Sequence, residues 1–142
     1  MKRQAFTMVE IIFVIVILGI LAAIAVPKFA ATRDDADITK GRADVAAIRS
    51  AIITERQARL ITGDSSYIAN GTGAGQMDDG GLFGGVLMYP MANVSGKNAK
   101  WSATAGSGTY IFRAAGVDTT FTYDPTNGTF TCSGGKCSDL TE

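Results

Sequence analysis

Histidine is absent from these 142 residues, cysteine occurs twice, proline three times and tryptophan once. Without an imidazole no Ser-His or Cys-His pair can form, and two thiols alone cannot complete a four-ligand zinc site. The serines lie in flexible runs with no base beside them, so nothing here assembles a hydrolytic centre. An excess of one charge is also missing: 13 Lys plus Arg face 13 Asp plus Glu, without the basic footprint of a nucleic-acid binder. Gly71, Gly73 and Gly75 alternate in a polar stretch, yet no strand leads in and no Lys-Ser/Thr pair follows, as a phosphate loop requires. These absences predict a structural or binding protein and no enzyme.

Charge is scarcest near the start. From Phe6 to Val26 the run FTMVEIIFVIVILGILAAIAV holds one ionisable side chain, Glu10. As a helix the run is roughly 30 Å long, enough to cross a bilayer. Lys2 and Arg3 supply the positive flank that keeps the N-terminus cytoplasmic. A carboxylate in hydrocarbon costs about 3 kcal/mol or more, so it needs a partner, and the run offers none. The partner belongs to another chain or is the amine of a new N-terminus. Two other readings fit the run. A secretory signal peptide would be cut after Ala23-Ile24-Ala25, although the run is long for one and Glu10 has no place in its apolar core. A permanent, uncut anchor would let Glu10 snorkel to the interface.

The residues Ala5-Phe6-Thr7-Met8-Val9-Glu10, the basic leader before them and Pro27 at the end of the apolar run are similar to the type IV filament superfamily. Its members are type IV pilins, type II secretion pseudopilins and competence pilins. The resemblance covers about the first 30 residues. It implies cleavage by a prepilin peptidase between Ala5 and Phe6, N-methylation of Phe6, and an assembly role for Glu10. The residue before the cut is Ala5, where the family ordinarily has glycine. Loss of Lys2 and Arg3 would leave 11 basic against 13 acidic side chains, a mature balance of −2. The family also implies that the segment from Gly19 to Pro27 can lose helical structure on assembly. It further implies partners: like subunits in a helical filament, the peptidase, and an inner-membrane platform with its assembly ATPase.

Past Pro27 the pattern stays helical. Between Lys28 and Ile61 seven Lys or Arg mix with five Asp or Glu. Ile38, Val45, Ile48 and Ile52 make one apolar stripe, with the remaining surface expected to be solvated. Gly63 fits a C-cap, and Arg56 and Arg59 complement the helix dipole. From Phe6 to Ile61 the helix would measure about 84 Å, with Gly19, Gly41 and Pro27 as weak points and a kink expected at Pro27.

From Gly63 onward lie 15 of the 17 glycines, marking a loop-rich region. Residues 64–85 read as a connector, with Leu82-Phe83 and Val86-Leu87-Met88-Tyr89 as apolar anchors. Three strands follow, Thr109 to Ala114, Thr119 to Tyr123 and Thr129 to Cys132, each alternating at period two. The connections Ala115–Asp118 and Asp124–Gly128 suit an antiparallel meander, with Asn127-Gly128 supplying positive φ. Such a sheet is too thin to stand alone, so its apolar face, with Trp101, should pack on the helical stripe.

The expected fold is α+β and pilin-like: a leader (1–5), a transmembrane helix (6–27), an amphipathic half of the same spine (28–62) and a loop-rich region with a small antiparallel sheet (63–142). In an exported domain Cys132 and Cys137 read as a disulfide, with a redox or metal pair as the alternative. No cofactor is expected. Type II secretion major pseudopilins often hold calcium, and Asp118, Asp124, Asn127 and Asp139 are the oxygen donors available for it. That family's Asp-Pro-Trp-Gly stretch is missing. The implied location is the inner membrane, single-pass, with the C-terminal region in the periplasm and later in a filament. The short mature length resembles a pseudopilin of type II secretion or transformation. The alternative is a permanently anchored periplasmic binding module that does not polymerise and meets its ligand at the Gly-rich connector.

Overall fold

The computed structural model describes residues 6–94 and 100–141, with the side chains of Ala30 and Ala31 left aside. Helix α1 spans Met8–Ile61, and the chain divides into two compact units, one up to Asp35 and one from Ala36. The first unit is helix alone from Met8. Helical backbone continues through Pro27, whose ring nitrogen cannot donate to the Ala23 carbonyl.

The second unit is a helix on a sheet. Strands β1 (Trp101–Ala103), β2 (Thr109–Ala114), β3 (Val117–Asp124) and β4 (Thr129–Ser133) form a four-stranded antiparallel meander in sequence order, and a short helix α2 (Cys137–Thr141) follows. The expected meander is present, with differences at its ends. β3 begins two residues early because Ala115 (φ 51°) and Gly116 (φ 74°) alone make the turn, the two-residue hairpin whose twist matches its strands. In the next turn Gly128 takes the positive φ and Asn127 does not. β1 and α2 were not expected, being only three and five residues long.

Period-two alternation decides which side of the sheet is buried. Tyr110, Phe112, Ala114, Phe121, Tyr123 and Phe130 point inward and are at most 4% exposed. They meet Val45, Ile48 and Ile52 of α1, with Trp101, Phe83 and Leu140 completing one core. Phe121 and Phe130 stack at 5.2 Å, and Phe83 stands edge-on to Trp101 at 5.4 Å. Ile38 packs at the margin, as its place in the stripe predicts.

Gly41 is no weak point of the helix. It lies on the buried side of α1, where a Cβ would come within 2.6 Å of Phe112 Cζ and 2.7 Å of Leu140 Cδ2, so the missing side chain is what lets β2 and α2 close on the helix. The helix ends as its sequence predicts: Gly63 is at φ 89°, its N–H donates to Leu60 O, and Asp64 N–H donates to Arg59 O at 3.0 Å, a Schellman closure. The connector is more embedded than its composition predicts, since Ile68 and Met77 join the core. Met88 and Tyr89, expected to anchor, are 88% and 78% exposed, while Val86 and Leu87 do pack.

Candidate assembly surface

Helix α1 starts at a cap. Thr7 Oγ1 accepts the Glu10 N–H at 3.3 Å and Thr7 O accepts the Ile11 N–H, so Thr7 is the N-cap and Glu10 sits in the first turn. The Glu10 side chain is exposed. Every large apolar side chain from Phe6 to Phe29 is exposed as well, and no part of the most apolar window, with mean hydropathy 3.1, is buried. Among the described residues one helix is long and apolar enough to cross a membrane. Gly19 has open space around it, with nothing within 4 Å of a Cβ. Phe6 precedes the helix, while Ala5 lies outside the described residues.

The solvent side of α1 in the second unit differs from expectation. Between Ala43 and Ile61 no charged side chain is exposed. The charges flank this face and turn back onto their own domain. Arg42, Arg49 and Arg56 recur every seven residues along one flank. Arg42 donates twice to Asp139 O (2.8 and 3.1 Å), Arg49 twice to Phe130 O (3.1 and 3.3 Å), and Arg56 lies 3.8 Å over the Tyr67 ring. Asp44 accepts the Trp101 indole N–H at 3.0 Å, and Arg59 binds Glu55, Asp64 and the Gly75 carbonyl. Counting charges along the sequence predicts a solvated face; the fold uses those charges as ties.

Another element invisible in the sequence is Asp78, 2% exposed. Its carboxylate accepts the Phe83 N–H (3.1 Å), the Tyr110 hydroxyl (2.9 Å) and the Gly106 N–H (2.9 Å), joining three parts of the connector and sheet. The first of these bonds holds Phe83 at φ 60°, a conformation that costs a bulky residue about 1 kcal/mol or more. Burial, reinforced by Asp78, pushes the Tyr110 hydroxyl well above the usual tyrosine range, and burial pushes Tyr123 up to about 12. No signal in the polar stretch around Asp78 distinguishes it from its neighbours.

For a binding module the polar groups would have to converge. A cleft of about 350 Å³ is lined by Lys40, Asp44, Lys100, Trp101 and Met91, but Lys100 pairs with Asp37 and Asp44 with Trp101. The calcium candidates are likewise engaged. Asp118 forms a two-pronged pair with Arg113 at 2.5 and 2.6 Å, and those hydrogen bonds hold its carboxyl below the usual range. Asp124 is lowered by the Thr126 hydroxyl and N–H, then by Asn127. Asp139 faces Lys136 at 3.5 Å. Among the described residues no group of three or more His, Cys, Asp or Glu is placed to hold a metal. Cys132 and Cys137 form the disulfide.

Comparison with known proteins agrees with the N-terminal geometry. Residues 1–26 match the family described as the prokaryotic N-terminal methylation motif. Over 74 residues, 51% of this chain, it is 43% identical to the type IV narrow pilus major component PilA5 of Thermus thermophilus, covering 64% of that protein. Over 51 residues it is 43% identical to the type II secretion system core protein G of Pseudomonas aeruginosa, 36% of each chain. The corresponding protein of Klebsiella michiganensis is 46% identical over 55 residues, 39% of its length. The chain thus spans less than two thirds of each of these relatives. No solved structure matches it. The chain carries a prepilin-type N-terminal motif and is homologous to type IV pilins and to type II secretion pseudopilins.

Proposed function

We propose that the chain is a structural subunit of a type IV pilus-like filament, and within that class a pseudopilin of a type II secretion or transformation system. The observation that carries the reading is the first unit: a capped helix exposing every large apolar side chain from Phe6 to Phe29, with Glu10 as the one carboxylate in its first turn, inside a matched methylation motif. In the proposed cycle the subunit waits in the inner membrane with its second unit in the periplasm. Prepilin peptidase cuts between Ala5 and Phe6 and methylates the Phe6 amine. The Glu10 carboxylate of an incoming subunit pairs with that amine on its neighbour, compensating a charge removed from water and setting axial register. The platform and its ATPase lift subunits from lipid, with residues 19–27 free to change conformation because Gly19 and Pro27 weaken helix there. The proposed cycle calls on no metal; Asp118, Asp124 and Asp139 make their contacts with Arg113, Thr126 and Lys136.

The test is the intact mass and N-terminal sequence of the protein purified from its native membrane. A chain starting at N-methylated Phe6 is expected. Retention of residues 1–5 would instead make it the permanently anchored binding module, and a start at Val26 would identify a secretory signal peptide.

A further inference from the structure

The sheet turns one face to α1 and the other to solvent. Thr109 and Ile111 of β2 alternate with the buried Tyr110 and Phe112, so they lie on the face turned away from α1. Beside them, at the β1 edge, a groove of about 480 Å³ is lined by Asn93, Ser102, Thr104, Ser107, Thr109 and Ile111. Asn93 also lines a neighbouring hollow of about 280 Å³, where Asp78, Thr72 and Leu82 meet Gly80 and Gly81. The two share Asn93 and together fall in the size range of sites that hold a small ligand. Among the described residues no Lys or Arg lines either one, and Asp78 is the only acid there.

The fold does not use up the donors and acceptors of this lining. Asp78 Oδ1 accepts two hydrogen bonds, from the Phe83 N–H and the Tyr110 hydroxyl, whereas Oδ2 accepts one, from the Gly106 N–H. A carboxylate oxygen carries two lone pairs, so Oδ2 has room for one more donor, on a side chain only 2% exposed. The hydroxyls of Thr72, Ser102, Thr104 and Thr109 make no hydrogen bond among the described residues. Each can both donate and accept, as a sugar hydroxyl does, and Ile111, 37% exposed, offers apolar surface to the C–H face of a sugar ring. An anionic ligand would bring like charge toward Asp78, which costs binding energy. We propose that the groove binds a neutral glycan, one hydroxyl of which donates to Asp78 Oδ2 while others exchange hydrogen bonds with Thr72, Ser102, Thr104 and Thr109. This goes beyond the filament reading and does not depend on it, since Thr109 and Ile111 face away from α1 and stay open when the helix is covered.

The test is calorimetric titration of the full chain in micelles of lauryldimethylamine oxide, chosen because a sugar-headed detergent would compete. The probes are cellohexaose, maltohexaose and mannohexaose, with hexagalacturonate as the anionic control. At least one neutral hexamer should bind saturably with a Kd of about 1 mM or tighter, and hexagalacturonate roughly tenfold more weakly or not at all. Thr109→Val and Ser102→Ala should each weaken the neutral hexamer several-fold, roughly tenfold together, because they remove hydroxyls that serve no bond in the fold. Ser133→Ala, on the same face at the far β4 edge, should bind as the wild type does. Asp78 is left intact, since its bonds hold the connector to the sheet. No saturable heat from any of the three neutral hexamers, equal affinity for hexagalacturonate, or wild-type affinity in the Thr109→Val, Ser102→Ala double variant would overturn the proposal and leave the filament reading standing. Should either variant melt at a lower temperature than the wild type, the comparison of neutral with anionic hexamers alone decides.

Discussion

Replacing Gly41 by alanine sets two effects of opposite sign against each other. Alanine in a helix interior is favoured over glycine by about 1 kcal/mol, so on propensity alone Gly41→Ala should stabilise. The added methyl, however, would enter a site where Phe112 Cζ lies at 2.6 Å and Leu140 Cδ2 at 2.7 Å. Both neighbours are 0% exposed and sit within a core of interlocked rings, so neither can swing into solvent to make room. Overpacking of this kind costs typically about 1–3 kcal/mol, and two immobile neighbours place it at the upper end. The net effect is a loss of about 2 kcal/mol, or roughly 10 °C in Tm for a domain of this size. Thermal melts of the full chain in detergent, followed by the fluorescence of Trp101, would measure it. Gly19→Ala provides the contrast, because nothing lies within 4 Å of its Cβ and the second unit should melt unchanged. A Gly41→Ala protein that melts at or above the wild-type temperature would refute the reasoning, showing that β2 and α2 do not need the bare helix surface.

Asp78→Ala should be the most damaging core change, since it leaves the Phe83 and Gly106 N–H groups and the Tyr110 hydroxyl without their acceptor; a loss of about 3 kcal/mol or more is expected, and a Tm within 2 °C of wild type would contradict it. Stability should be flat up to the unfolded tyrosine pKa near 10 and fall as pH rises toward 12, because Tyr110 and Tyr123 keep their protons in the folded state and release them on unfolding. Melts across that range in the wild type and in Tyr123→Phe check this, the variant being expected to lose less. Replacing both Cys132 and Cys137 by serine should cost about 2 kcal/mol, the low end for a short loop, readable as a lower urea midpoint; an unchanged midpoint would show that the bond does not constrain the unfolded chain.

What the sequence made legible were features with a strong local cause. The apolar run, the Gly63 cap and the period-two strands each follow from one turn or one alternation, and the structure places them within a residue or two of expectation. The stripe of Val45, Ile48 and Ile52 was equally readable, because burial repeats with the helix. What escaped depends on partners distant in sequence. Gly41 looks like a helix weakness until Phe112 and Leu140 arrive against it. Asp78 sits in a polar stretch where, beside its bond to Phe83, contacts 28 and 32 residues away give it a role. Arg42 and Arg49 read as solvated because composition cannot show that Asp139 and Phe130, more than 80 residues on, offer carbonyls to them. Met88 and Tyr89 fail for the converse reason: hydrophobicity predicts a place inside, but the core is already filled by Leu82 and Phe83.

Glu10 admits a modest explanation as well as an assembly role, and the first turn of α1 separates the two. A capping residue followed three positions later by glutamate is a common helix start, and an acid in the first turn favours the helix dipole, so Glu10 could be there for the helix alone. The bond observed, however, runs from the Glu10 backbone N–H to Thr7 Oγ1, which any residue at position 10 would supply. The dipole term adds only about 0.3–1 kcal/mol, less than the roughly 3 kcal/mol or more that the carboxylate costs if it enters hydrocarbon. The cap therefore accounts for Thr7 and leaves the Glu10 charge without sufficient reason inside its own helix. Glu10→Gln keeps the cap and removes the charge, whereas Thr7→Ala removes the cap, about 1 kcal/mol, and keeps the charge. If pairing with a neighbouring amine is the reason for the carboxylate, Glu10→Gln should insert normally and lose most filament yield, while Thr7→Ala should assemble nearly as well as wild type. Equal loss from both variants, read by shearing and quantifying filaments, would return Glu10 to the helix start and remove the pairing from the mechanism.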